Sequence, residues 1–341
     1  MHDPSDEHPT PSNRRRFLAP LLLLGLLILG IGIWLGTTYW ASERAESEAV
    51  TGAVPVLRDG VVHVVVSGHS EKTTQRGDKR GSVSTTAYPH LTSYRATDGE
   101  RVARRHYAPV FLRFEYVDTV VRALLPGAGK AWIVSTAPAE SLHAVHPATL
   151  ADELDWGGLV SRFPVLGPGL FIERGTSSSP VLVGGRELLF RLNSGPFQAL
   201  APETLELRAL PAEGEALEDI TRAGEARGAP ELEKRVEGLP EYLEPVVPVV
   251  RSLDGGVDTT TGYVVSQTSL DRERAGIRVT RWDLSRGADA ATKGWEATLD
   301  VAPECCQRVV WRFDGLALLW YEGWLVAFDD ATGAVRWQRR L

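Results

Sequence analysis

The residues best suited to chemistry are two sulfurs and a few imidazoles. Cys305 and Cys306 stand side by side and are the only cysteines among 341 residues. They follow Pro303-Glu304 and precede the strand-like run Val309-Val310-Trp311, which places them at the entrance of a strand. On position alone they read as a structural clip or as two thiols at a strand edge. His143 and His146 lie three apart, on opposite faces of a strand, which argues against a shared metal. His63 and His69 can share a face, but a glycine lies between and no third ligand is near. Structural or solvent-exposed roles fit these histidines better. The chain has no Gly-x-Ser-x-Gly turn, no phosphate loop and no zinc-protease helix. No catalytic, cofactor-binding or metal-ligating residue is assigned.

The elements that must position these residues are strands. The clearest is the last stretch, Trp324 to Trp337, which reads as strand, tight turn, strand. Apolar residues alternate before the turn, Asp329 and Asp330 open it, and Gly333 sits where a hairpin needs a left-handed residue. An Asp side chain accepts backbone N–H groups within such a turn. Weaker copies follow the runs Val61–Val66, Ala131–Ser135, Glu187–Leu192 and Gly262–Ser266, so that five units are visible. Their turn hydroxyls, Thr97, Thr149, Thr204, Ser285 and Thr332, lie 52, 55, 81 and 47 residues apart. Strand repeats of about 40–50 residues are the mark of propeller blades. The longest gap has room for a degenerate blade around Val246–Arg251. It also contains an acidic stretch, 212–240, read as an inserted excursion with a solvated charged face. The fold expected is an all-β propeller of six or seven blades over residues 56–341, five of them visible.

Ala327-x-Asp329-x-x-Thr332-Gly333-x-x-x-Trp337 resembles the repeat of quinoprotein-alcohol-dehydrogenase-like (PQQ-repeat) β-propellers. The match is close for the last unit and partial for the other four; Trp156 and Trp295 follow their turns at looser spacing. The resemblance implies that the Gly-turn joins the outer strands of a blade and that the Trp docks between neighbouring blades. Its members include both enzymes and non-catalytic scaffolds, so fold does not fix activity. Quinone-dependent dehydrogenases of this kind carry a vicinal disulfide beside their cofactor, which is what Cys305-Cys306 would be under an enzymatic reading. Their calcium-binding carboxylates and catalytic Asp have no counterpart by motif, so no cofactor is expected.

The N-terminal residues carry the topology. Residues 1–16 are polar and end in Arg14-Arg15-Arg16, whereas 17–40 contain no charge. Roughly 20 apolar residues span a bilayer as a helix. Trp34, Tyr39 and Trp40 lie at the far end and an acidic stretch follows, so the positive-inside rule puts the N-terminus inside. Arg14 to Leu18 is similar to the twin-arginine export signal. No small-residue cleavage site follows, and the run is too long for a cleaved signal. The expected organisation is a cytoplasmic tail (1–16), a transmembrane signal anchor (17–40), a linker (41–55) and an extracytoplasmic domain (56–341). Ten tryptophans are explained by packing. A net charge of −7 argues against nucleic acid. The role expected is a non-catalytic interaction or assembly module of a bacterial envelope, periplasmic on the inner membrane, with the bilayer and an unidentified protein as partners. An oxidoreductase built on the cysteine pair, or a ligand-binding ectodomain, is the alternative.

Overall fold

The chain turns back on itself at short intervals, and nearly every reversal makes an antiparallel pair. Sheet 1 is β1 (Glu48–Arg58), β2 (Val61–Gln75), β3 (Val83–Arg95) and β4 (Arg101–His106), with β5 (Val110–Leu112) beside Thr85–Ala87 of β3. Sheet 2 is β6 (Val121–Gly127), β7 (Lys130–Ser135), β8 (Ser141–Val145) and β9 (Asp152–Leu154). A short helix, α1 (Trp156–Arg162), follows; Asp155 caps it by accepting the Gly158 N–H at 2.7 Å. Sheet 3 is β10 (Val181–Gly184), β11 (Glu187–Phe190), β12 (Gln198–Ala201) and β13 (Glu206–Ala209). β14 (Val249–Ser252) comes next, then sheet 4: β15 (Thr261–Ser269), β16 (Ala275–Asp283) and β17 (Thr292–Leu299). Sheet 5 is β18 (Arg308–Phe313), β19 (Leu316–Tyr321), β20 (Trp324–Asp329) and β21 (Val335–Arg340), with β14 added in parallel to β18.

This computed structural model describes residues 48–75, 83–112, 121–135, 141–167, 181–184, 187–190, 198–210, 248–253, 256–269, 275–287, 290–301, 308–321 and 323–341. Over them the protein is all-β, apart from α1 and one short helical turn. The tail 1–16, the apolar segment 17–40, the acidic stretch 212–240 and Cys305-Cys306 lie outside the described residues. Among the described residues no helix is long and apolar enough to cross a membrane.

The first hairpin of three sheets is the same object. Asp59-Gly60, Ala128-Gly129 and Asp314-Gly315 are two-residue loops with both residues at positive φ, between 46° and 77°. That is the type I′ geometry, whose twist matches the flanking strands.

Alternation along the strands decides how the sheets pack. Val62, Val64 and Val66 of β2 join Leu318, Trp320, Leu325 and Ala327 of sheet 5 in one core. Val65 lies among residues of the other face, Val54, Val56 and Leu91, with Ala131, Ile133, Val145 and Leu150 of sheet 2. Trp132, Val134, Leu142 and Ala144 pack on Leu188, Phe190 and Leu200 of sheet 3, with Leu159 of α1. Tyr263, Val265, Ile277 and Val279 of sheet 4 meet Ala317, Leu319, Val326 and Phe328 of sheet 5. Sheets 4, 5, 1, 2 and 3 therefore pack in that order. Sheets 5, 1 and 2 are covered on both faces, which is why β19 and β20 are continuous apolar runs.

Two expectations are corrected. β1 begins at Glu48, inside the stretch 41–55 read as a linker, because residues from Glu48 onward pair with β2 from Ser70 downward. Val249–Ser252 is not the core of a further blade; it is an added strand of sheet 5, paired with Val309–Arg312. The start of β2 meets sheet 5 face to face. Leu319 is 1% exposed and Leu57 is 48% exposed. Leu319→Ala should therefore cost about 2–5 kcal/mol in urea unfolding, and Leu57→Ala less than about 0.5 kcal/mol. Equal costs would contradict the packing described.

Candidate functional site at the seams between sheets

The turn before the last strand repeats in four sheets. Its key residue has left-handed backbone at Gly99, Leu150, Leu205 and Gly333, with φ of 68°, 58°, 54° and 75°. Each donates its N–H to the carbonyl four residues back, on Arg95, His146, Ala201 and Asp329, at 2.8–2.9 Å. In three of these turns the side chain just before the left-handed residue accepts the N–H just after it. The pairs are Asp98 with Glu100 (2.9 Å), Thr149 with Ala151 (3.4 Å) and Thr332 with Ala334 (3.3 Å). The sheet 1 counterpart of Thr332 is thus Asp98 rather than Thr97. Asp329 accepts the N–H and hydroxyl of Thr332 at 3.0 and 2.9 Å and pairs with Arg336. Those bonds hold its carboxyl below the usual range, the Arg336 contact contributing most.

These turns receive side chains from the preceding sheet. Trp337 pairs with Ala327 within sheet 5 and is buried. Its indole Nε1–H donates to the Ala96 carbonyl in sheet 1 at 2.8 Å, across 241 residues of chain. Trp295 of β17 repeats this on sheet 5: its Nε1–H donates to the Asp330 carbonyl at 2.8 Å. Ala96 and Asp330 each lie three residues before a left-handed glycine. A methyl group on Gly99 would lie 2.7 Å from the Trp337 ring, and one on Gly333 would lie 2.6 Å from the Trp295 ring. Glycine is therefore required twice over at Gly333, by backbone and by close approach. Arg339 Nε donates to the Gly99 carbonyl at 3.0 Å, and Arg105 Nη1, at the equivalent place in β4, to the Leu150 carbonyl at 2.9 Å.

The other seams use different groups. Ala103 occupies the place of Trp337 in sheet 1, paired with Ser93 as Trp337 is with Ala327. Arg105 there clasps both oxygens of Asp152 at 2.7 Å, and Tyr107 Oη lies 3.1 Å from His143 Nε2. Burial pushes the Tyr107 phenol up to about 12 and the His143 imidazole down. Arg58 and Lys130 converge on Glu153 from the tips of two hairpins. Between sheets 2 and 3, Glu203 accepts the Ala128 N–H at 2.8 Å. Trp156, expected as a loose counterpart of Trp337, is instead the first residue of α1 and lies 6.2 Å from the Phe190 ring.

The densest polar cluster lies where sheets 4 and 5 meet. Arg312 Nη2 donates to Asp330 Oδ2 at 2.7 Å, and its Nη1 to Asp258 Oδ2 at 2.5 Å and Thr261 Oγ1 at 2.7 Å. Tyr263 donates its hydroxyl to Asp330 Oδ1 at 2.5 Å, and Arg281 Nε lies 3.3 Å from the same oxygen. Burial alone would raise the Asp330 carboxyl, but Arg312 and Tyr263 overcome it and hold it low. Asp258 is likewise held low against burial by Thr260 and Arg312. Burial, then Asp330, pushes the Tyr263 phenol up. Carboxylates committed to arginine and a phenol kept protonated are poor proton carriers near neutrality. The cluster is a tie between sheets. Nothing in the sequence pattern marks Arg312, Asp258 or Tyr263, whereas Arg105 and Arg339 share a spacing from the left-handed residue that was open to detection. Cys305 and Cys306 lie outside the described residues, and among those residues no group of three or more His, Cys, Asp or Glu could hold a metal ion.

Trp337→Ala should cost about 3–5 kcal/mol, the usual loss for a buried Trp. Trp337→Phe should recover much of the packing but not the bond to Ala96. A Trp337→Ala protein with unchanged urea midpoint would refute the docking. Asp330 and Asp258 have depressed folded values, so their contribution is present above about pH 4 and is lost as pH falls through those values. Asp330→Asn should lower stability by about 2–3 kcal/mol at neutral pH and flatten the acid limb of the stability curve. An acid limb as steep as that of the parent protein would exclude the Asp330 tie as its source.

Comparison of the sequence with protein-family models and with curated proteins finds no match.

Proposed function

We propose that residues 48–341 form an extracytoplasmic β-propeller of the PQQ-repeat kind, and that it serves as a non-catalytic interaction or assembly module. The segment 17–40 anchors it to a bacterial inner membrane with its N-terminus inside. The observation that carries the propeller reading is the Trp337 indole on the Ala96 carbonyl, which ties the last sheet to the first. Face-to-face packing of antiparallel sheets and the recurring left-handed turn support it. Six or seven blades are proposed, five of them corresponding to the sheets above. A scaffold role is favoured by the seams themselves, whose arginines and carboxylates are spent on ties.

The full chain, made in a bacterium, tests both halves of this reading. N-terminal sequencing should find residues 1–40 retained, and protease added to spheroplasts should digest the domain. A chain beginning beyond Trp40, or a domain protected in spheroplasts, would remove the anchor. Purified protein should bind no quinone, and Cys305→Ser with Cys306→Ser should leave partner association intact. Stoichiometric quinone together with dye-linked alcohol oxidation, lost in the double variant, would replace the scaffold by an enzyme.

A further inference from the structure

The histidines are unevenly placed. Of eight in the chain, His2 and His8 lie in the N-terminal tail, and the other six fall between His63 and His146, in sheets 1 and 2. Three of them, His63, His69 and His90, are buried in sheet 1. His63 and Ser93 each have a buried polar atom, Nδ1 and Oγ, with no hydrogen-bond partner among the described residues. Cross-strand pairing puts His63 and Ser93 in line with Val56 and Val65, which pack toward sheet 2.

Charges around the two seam histidines are already balanced. Within sheet 1 the strand partners of His63 are Val56 and Arg95; Arg95 is ion-paired to Asp98 and Glu100. From sheet 2, His146 acts on His63, its Nδ1 engaged by the Ala148 N–H at 3.1 Å. His143 faces Tyr107 and feels Arg105 and Asp152, which clasp one another. Arg58 and Lys130 are taken by Glu153. Arg95, Arg105, Arg58 and Lys130 are thus each engaged by carboxylates, Arg58 by the exposed Asp59 as well as by Glu153, and among the described residues those carboxylates are committed to them. The seam between sheets 4 and 5 contains no histidine.

We propose that the seam between sheets 1 and 2 is an acid-sensitive contact: on acidification, protonated His63 opposes Arg95 and His146, a charge is forced onto the half-buried His143 that Asp152 offsets only in part, and sheets 1 and 2 loosen while sheets 4 and 5 stay joined. Burial, then His146 and Arg95, holds the His63 imidazole below its ordinary value, and burial does the same for His143. For a group depressed by folding, stability is present above the ordinary value of about 6.5 and is lost as pH falls below it. The window is therefore that of histidine, separate from the carboxylate window of the Asp330 cluster.

Hydrogen exchange on the full chain from about pH 7.5 to about pH 5, corrected for intrinsic rates, tests this. Protection of amides in β2, β7 and β8 should fall about ten-fold or more, while β19 and β20 keep theirs. The variant His63→Leu/His143→Gln should abolish the difference. If that variant does not fold, imidazole titration of the parent protein by NMR decides instead, and both histidines should titrate below the ordinary value. Uniform loss of protection across all sheets, the same pH dependence in a folded double variant, or ordinary titration of both imidazoles would each overturn the proposal.

Discussion

The structure depends on one close approach: a flat indole laid on the backbone of a left-handed turn in the next sheet. At Gly333 the Trp295 ring comes so near that a single methyl would collide, and the indole N–H finds a carbonyl three residues earlier. A turn that closes tightly, with its N–H bonded four residues back, presents that carbonyl outward. The same carbonyl has no partner within its own turn geometry, so a neighbour must supply a donor or leave a buried acceptor unsatisfied. Local turn chemistry thereby sets long-range assembly. The bond from Trp337 to Ala96 applies this rule between the two ends of the described chain.

The seams solve one problem with different side chains. Between sheets 5 and 1 the tie is an indole and an arginine; between 1 and 2 the arginine remains but alanine replaces the indole. Space released by Ala103 coincides with the use of Tyr107 and His143 nearby. Between sheets 4 and 5 an indole is kept and a charged cluster is added, with Arg312 bridging Asp258 and Asp330. Such partly buried pairs add little net stability over apolar packing, yet removing one partner is costly.

Strand positions and the five units were legible because alternation and turn residues are local. Gly333 at positive φ and the burial of Trp337 follow from the Asp-x-x-Thr-Gly-x-x-x-Trp spacing itself. Trp295 was obscured because its turn is longer: Asp283 and Trp295 are twelve apart where Asp329 and Trp337 are eight. The left-handed position was obscured in the turns at Leu150 and Leu205, where a leucine stands in place of the glycine that usually marks it. The Arg312 cluster could not be read at all. Its members come from the approach to β15, from β15 and β16, and from sheet 5, and only packing brings them together.

That the repeat is clearest in the last sheet has a physical cause. Sheet 5 is covered on both faces, its turn receives Trp295, and its final strand sends Trp337 and Arg339 onward. Each requirement fixes a residue type: small at Ala327 beneath the outgoing indole, Asp329 and Thr332 for the turn, Gly333 for the incoming one. Sheets 1 to 3 each satisfy only part of this set. Gly99 meets an indole but Ala103 sends none on, and Leu150 meets a guanidinium, which does not demand a missing Cβ. Degeneracy of the repeat therefore tracks the number of seam contacts each sheet must make, and where a seam is tied by arginine and histidine the motif is free to drift.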